Sequence, residues 1–184
     1  MKKSQHMILA LTLVGLIAGG ALVGVFAYTE PLIKANQQNA LEQGVIEVLP
    51  GAVSFRTLSV GGNSVYEGIS SGGEVIGYAV LGEGPGYQGT IQLMIGVDPA
   101  FEDALAIQIL ESVETPGLGG KITTPGFRRQ FEGIVLTPSI TLIKKEPLSN
   151  NEVQAITGAT ISSQAVVDIV NAAVSELRRA MATN

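Results

Sequence analysis

The segment from Met7 to Tyr28 holds no charged residue and is built from Leu, Ile, Val, Ala, Gly and Phe, with Thr12 its only internal hydroxyl. Roughly 20 apolar residues suffice to span a bilayer core, so this run constrains the chain more than any other feature. Lys2 and Lys3 precede it and Glu30 follows it. The positive-inside bias then leaves the amino terminus in the cytoplasm and everything after Tyr28 on the other side, periplasmic or extracellular. A cleaved signal peptide is the competing reading, with Val25 and Ala27 as the small residues of a cleavage site. The run exceeds the roughly 7 to 15 residues of a signal core, which favours a retained anchor. The expected organisation is a cytoplasmic flank and anchor over 1–29, a juxtamembrane helix over 30–44 and one extracytoplasmic domain over 45–184.

A net charge of −5 argues against nucleic acid as a partner, because neutralising phosphates requires a basic surface. Cysteine is absent and the single histidine, His6, lies in the amino-terminal flank. Disulfides, thiolate-held iron–sulfur clusters and c-type haem are thereby excluded. A redox role must use a cofactor that needs neither thiolate nor imidazole ligation, and flavin meets that restriction. Glu102, Asp103, Glu111 and Glu114 are scattered carboxylates that read as a solvated face rather than a metal site.

Beyond the anchor, Pro31 is placed for a first helical turn and Gly44 for a helix stop. From Val45 to about Ser112, short apolar runs alternate with Gly61-Gly62, Ser71-Gly72-Gly73 and Gly84-Pro85-Gly86, the pattern of strands and turns. Ile91, Leu93, Ile95 and Val97 alternate with Gln92, Met94 and Gly96, which predicts a strand with one buried face. Further strands are expected at Glu74 to Leu81, Leu105 to Val113 and Ile140 to Lys144, and a short helix at Phe127 to Phe131. From Ser163 to Ala180, Val166, Ile169, Val170, Ala173, Val174 and Leu177 recur at helical spacing. The fold class is therefore α+β: an amino-terminal transmembrane helix, antiparallel strands and a carboxy-terminal helix.

Just ahead of that last helix stands Thr157-Gly158-Ala159-Thr160-Ile161-Ser162-Ser163, small residues that carry four hydroxyls. Free amides of a first helical turn and the positive end of its dipole attract an anion, and Gly158 and Ala159 permit close approach. Helix capping by Thr160, Ser162 or Ser163 is the commoner use of such residues, and spacing alone favours it. Elsewhere, Pro116-Gly117 reads as a tight turn that presents Leu118 as an apolar surface beside Thr115. Tyr87, between Gly86 and Gly89, either stacks on a ligand or fills the core, and core packing is preferred.

The segment Ala155-Ile156-Thr157-Gly158-Ala159-Thr160-Ile161-Ser162-Ser163 resembles the flavinylation motif of FMN-binding domains in Rnf and Na+-translocating NADH:quinone oxidoreductase complexes. Glu114-Thr115-Pro116-Gly117-Leu118-Gly119 and Gly86-Tyr87-Gln88-Gly89 match the same family. The resemblance covers essentially the whole chain, and the chain's brevity favours the G-subunit branch over the longer C subunit. It implies FMN held covalently by a phosphoester to Thr160, with Thr157, Gly158, Ala159 and Ser163 beside the attachment and Glu114, Thr115, Leu118 and Tyr87 as flavin contacts. Position 154 is Gln where relatives often carry Asp. A Thr hydroxyl is a weak nucleophile and no base stands near it in the sequence. The resemblance implies a separate flavin transferase of the ApbE type, which uses FAD and magnesium. Implied partners are the other Rnf-type membrane and iron–sulfur subunits, jointly coupling ferredoxin oxidation and NAD+ reduction to ion movement. Two rivals are a stand-alone extracytoplasmic FMN-domain electron carrier and a non-redox binding module in which the motif is only a helix cap.

Overall fold

The computed structural model describes residues 2–182, with side chains from Lys3 onward. The chain divides into two compact units, one ending at Ala40 and one beginning at Leu41. Helix α1, Lys2–Val48, supplies all the described residues of the first unit and the opening residues of the second. Its best apolar window has a mean hydropathy of 2.4 with 0% of it buried, so by length and composition the helix can cross a membrane. Pro31 does not begin a new helix but lies inside α1. An internal proline removes one backbone hydrogen bond. One turn around it is reinforced by the Thr29 hydroxyl, which donates to the Val25 carbonyl at 2.9 Å, and by a Glu30–Lys34 ion pair at 2.7 Å.

The second unit is built on six strands: β1 Ser54–Val60, β2 Asn63–Ile69, β3 Val75–Pro85, β4 Thr90–Val97, β5 Asp103–Ser112 and β6 Ile134–Val135. They lie in sequence order, each antiparallel to its neighbour. The Gly61-Gly62 pair turns β1 into β2, with φ of 60° and 87° that glycine adopts without strain.

The expectation of one buried face is corrected, because both faces of this sheet are covered. Val80, Ile91, Leu93, Ile95 and Ile107 belong to the larger apolar cluster, together with Val166, Ile169, Val170 and Val174. Those last residues lie on α3, Thr160–Ala182. On the opposite face Met94 and Ala79 pack with Val45, Val48 and Leu49. Gly44 is thus no helix stop: α1 continues to Val48, and a methyl group at Gly44 would sit 2.7 Å from Leu110 Cδ2. The sheet accepts this close approach because small residues stand where the helix end lies. Gly68 pairs with Gly77 across β2 and β3, and Ala79 pairs with Gly96 across β3 and β4. A Cβ at Gly96 would overlap the Val48 carbonyl, and one at Gly77 would come 3.2 Å from Leu49 Cδ2.

The other face positions the site. Ile169 of α3 sits over Gly82 and Gly84 of β3, where added methyl groups would lie 2.8 and 2.7 Å from its side chain. That contact brings α3 against the end of β3 that leads into the β3–β4 hairpin. A short helix α2, Pro125–Arg128, is followed by a 3-10 turn through Phe131. The strand expected at Ile140 to Lys144 is β7, Thr141–Ile143, and it pairs in parallel with β8, Glu152–Gln154, which was not evident in the sequence and departs from the all-antiparallel expectation. Gln130 extends β8 as a strand would, accepting from the Gln154 amide at 2.7 Å and donating to its carbonyl at 3.3 Å. Asn171 holds both backbone groups of Ile140 at 2.9 Å.

Gly96→Ala is expected to destabilise the domain by about 1–3 kcal/mol through overpacking against Val48. Gly126→Ala, with no neighbour within 4 Å, is expected to leave the thermal midpoint unchanged. Parallel thermal melts followed by circular dichroism check both outcomes.

Candidate cofactor site

The register of the sheet creates the site. Ser112, the last residue of β5, pairs with Ile91, one residue beyond Thr90, which closes the β3–β4 hairpin against Pro85. Glu114, two residues further on, therefore arrives beside the hairpin loop. That loop is pinched by the Gly86 amide donating to the Gly89 carbonyl at 2.7 Å. The amides of Tyr87 and Gln88 point to the carboxylate and donate to Glu114 Oε1 at 2.6 and 3.0 Å. Ser162, in the first turn of α3, donates its hydroxyl proton to Glu114 Oε2 at 2.6 Å.

Glu114 is only 6% exposed, which corrects its assignment to a solvated face. Burial raises its pKa, but the Ser162 hydroxyl and then the Gln88 and Tyr87 amides outweigh burial and hold the carboxyl below its ordinary value of 4.5. Two glycines make room for the arrangement. A methyl group at Gly86 would lie 2.5 Å from Glu114 Oε1, and one at Gly119 would lie 2.5 Å from Ser162 Oγ.

After Glu114 the chain turns at Pro116-Gly117, as expected. The amides of Leu118 and Gly120 donate to the Thr115 carbonyl at 3.1 and 2.9 Å, and Gly117 has φ of 78°. Leu118 is left 50% exposed, facing the other positive-φ turn at Gly158, where a Cβ would sit 3.6 Å from Leu118 Cδ2.

Helix α3 begins at Thr160, three residues earlier than the apolar periodicity indicates. Its first backbone bond runs from the Ser163 amide to the Ala159 carbonyl at 3.0 Å. The amides of Thr160, Ile161 and Ser162 lie ahead of it and are available to an anion. The four hydroxyls divide sharply. Ser163, fully buried, accepts from the Ile156 amide at 3.1 Å and donates to the Ala159 carbonyl at 2.9 Å. Ser162 is engaged with Glu114. Thr157 is exposed, and Thr160 is half-buried with no hydrogen-bond partner among the described residues.

These elements enclose a cleft of about 460 Å³. Its lining includes Tyr87, Glu114, Thr115, Leu118, Gly158, Ala159 and Thr160, so the three motifs, distant in sequence, meet at one place. Thr157 and Ser163 do not line it, and the Ser163 hydroxyl ties the Ile156 turn to the helix. Tyr87 is 65% exposed rather than a core residue, because its backbone is held by Glu114 while its ring is left at the rim. Gly119, Ile161 and Ser162 complete the lining and were not singled out from the sequence as ligand contacts. Ser162 was legible as a hydroxyl in the motif, but its partner lies 48 residues away.

The cleft residues fall within a stretch, 86–175, that matches the FMN-binding domain family. Two solved structures share the fold: NqrC of Shewanella oneidensis, with a TM-score of 0.55 and 20% identity over 70% of this chain and 65% of that one, and the C subunit of the Na+-translocating NADH-quinone reductase of Parabacteroides distasonis, with 0.50 and 24% over 66% and 58%. The family match and the fold thus define a domain of the FMN-binding family with an NqrC-like fold that follows an apolar amino-terminal helix. Along its length the chain is 35% identical to the G subunit of the ion-translocating oxidoreductase complex of Methanosarcina acetivorans, over 94% of both chains. It is 32% identical to the G subunit of the proton-translocating ferredoxin:NAD(+) oxidoreductase complex of Clostridium ljungdahlii, over 95% of this chain and 94% of that one. The chain belongs to the family of G subunits of Rnf-type ion-translocating oxidoreductase complexes.

Because the Glu114 pKa is lowered on folding, its stabilisation is present above the ordinary value of 4.5 and is lost as pH falls through the lowered pKa. Glu114→Gln is expected to cost about 2 kcal/mol at neutral pH, the scale of hydrogen bonds to a charged group. That difference should shrink as pH is taken below 4.5. Chemical denaturation of both proteins from neutral to acid pH measures it.

Proposed function

We propose that this chain is the electron-carrying G subunit of a membrane-bound Rnf-type ferredoxin:NAD+ oxidoreductase and holds FMN by a phosphoester to Thr160. One observation carries the choice of residue. Of the four hydroxyls at the α3 entrance, only that of Thr160 both lines the cleft and is uncommitted among the described residues. The Ser162 and Ser163 hydroxyls already donate hydrogen bonds to Glu114 and to the Ala159 carbonyl, and Thr157 lies outside the lining.

The residues present suit the cofactor. The leading amides of α3 and its dipole favour a phosphate dianion beside Thr160. Leu118, Ile161 and Tyr87 offer apolar and aromatic surface for a planar ring, and the cleft is of a size usual for small-molecule sites. FMN supplies the redox chemistry when bound, while the chain binds and orients it. Gly158 lets Leu118 and the α3 entrance close to contact distance, which narrows the cleft around a flat ligand.

Among the described residues no carboxylate or imidazole is hydrogen-bonded to the Thr160 hydroxyl to activate it, which supports attachment by a separate ApbE-type transferase with FAD and magnesium. In that transfer the Thr160 oxygen displaces AMP at the FMN phosphorus of FAD, and the hydroxyl proton passes to a base on the transferase. The apolar run of α1 serves as the membrane anchor, with the amino terminus cytoplasmic and the cofactor domain on the outer side. A covalent link keeps the flavin from diffusing away on that side. Membrane and iron–sulfur subunits of the same complex are the electron partners.

Co-production with a flavin transferase, denaturing electrophoresis and in-gel fluorescence test the assignment. The native and Thr157→Ala bands are expected to fluoresce and the Thr160→Ala band to be dark. A dark native band in the presence of active transferase would return the motif to a helix cap.

A further inference from the structure

We infer that Glu114 sets the reduction potential of the flavin: its buried negative charge on the cleft wall opposes the negative charge the ring acquires on reduction. The inference rests on the reading that FMN occupies this cleft. Its basis is the way the carboxylate is held. All three of its partners, the amides of Tyr87 and Gln88 and the hydroxyl of Ser162, are neutral donors. They stabilise the ionised form without cancelling its charge. A carboxylate paired with Lys or Arg would cast a weak field, but among the described residues no Lys, Arg or His lines the cleft. Glu114 is also 6% exposed, so little water screens it. It lies between the Tyr87 loop, the Leu118 turn and the start of α3, the three elements that form the walls.

A two-electron reduction of FMN with uptake of one proton leaves one negative charge on the ring, and uptake of a second proton removes it. A fixed carboxylate at the wall disfavours the anionic product and so lowers the potential. Glu114 is in this sense a positioning and tuning residue. It exchanges no proton with the ring, and the electrons come from the protein's redox partner.

The full chain, loaded by co-production with a flavin transferase, is titrated with dithionite against dyes of known potential. Glu114→Gln keeps an oxygen for the Tyr87 and Gln88 amides while removing the charge. It is expected to raise the potential by the equivalent of about tenfold in the equilibrium constant, ~30 mV for a two-electron couple. Ser162→Ala loosens the clamp but retains the charge, and is expected to shift the potential much less than Glu114→Gln. An unchanged potential in loaded Glu114→Gln would overturn the inference, as would an equal rise in Ser162→Ala, since a purely structural clamp predicts the latter. If Glu114→Gln accumulates without flavin, the native holoprotein is compared with free FMN as pH is lowered. Among the described residues, Tyr87 is the only other titratable side chain lining the cleft. The charge acts only while the reduced ring is anionic. A holoprotein potential below that of free FMN at neutral and alkaline pH, with the gap closing as the reduced ring takes its second proton, therefore supports the inference, and a gap that does not change with pH overturns it. Absence of flavin from the native protein would instead sink the underlying functional reading, a result visible on the gel before any titration.

Discussion

Three neutral donors converge on one buried carboxylate, and the cleft exists because they do. The Tyr87 and Gln88 amides belong to the β3–β4 hairpin, the Ser162 hydroxyl to the first turn of α3, and Glu114 itself to the segment leaving β5. None of these segments is adjacent to another in the chain. A hairpin loop with unsatisfied amides and a helix start with a loose hydroxyl would each carry a desolvation penalty alone. Joined through Glu114, they satisfy one another and fix the separation of the walls to within a hydrogen-bond length. Gly86 and Gly119 are small because any side chain there would occupy the space of that carboxylate or of Ser162. The same clamp also sorts the hydroxyls, engaging Ser162 and leaving Thr160 open.

Much of this architecture was legible from local pattern. The alternation through Ile91 to Val97, the helical spacing from Val166 to Leu177 and the long uncharged run near the amino terminus each specify an element through its own period. What the pattern could not convey was the identity of the partner surface. Met94 and Gly96 look like the outward face of a half-buried strand, yet they are covered, because the cover is the end of α1, some 50 residues upstream. Gly44 has the sequence context of a helix stop, and only the nearness of Leu110 reveals that its lack of a side chain is needed for packing. β8 is three residues long and is recognisable only beside β7 and Gln130.

The site divides in the same manner. Thr160, Gly158 and Ala159 were legible as a helix start that could either hold an anion or simply be capped, a local property, and resemblance chose between the two. Glu114, Thr115, Leu118 and Tyr87 came from resemblance, and their convergence could not have been read from spacing, since the hydrogen bonds that gather them cross tens of residues. Tyr87 was misplaced, and the role of Ser163 could not be read, for complementary reasons. An aromatic between glycines looks like a core plug until its backbone is seen to be held from outside the hairpin, and a serine in a hydroxyl cluster looks like a ligand until its two bonds to Ile156 and Ala159 are seen.

The last turns of α1 bear on how the protein can be dissected. Val45 and Val48, with Leu49 just past the helix end, are fully buried against Ala79 and Met94, so they are core residues of the second unit although the first two belong to the helix that carries the apolar run. A soluble fragment cut at the start of β1 would carry an open apolar trough along Gly68, Gly77 and Gly96. One cut at Leu41 would keep the plug that fills it. The useful boundary for a secreted or crystallisable version therefore falls inside a helix, at a place no inspection of strands and loops would suggest.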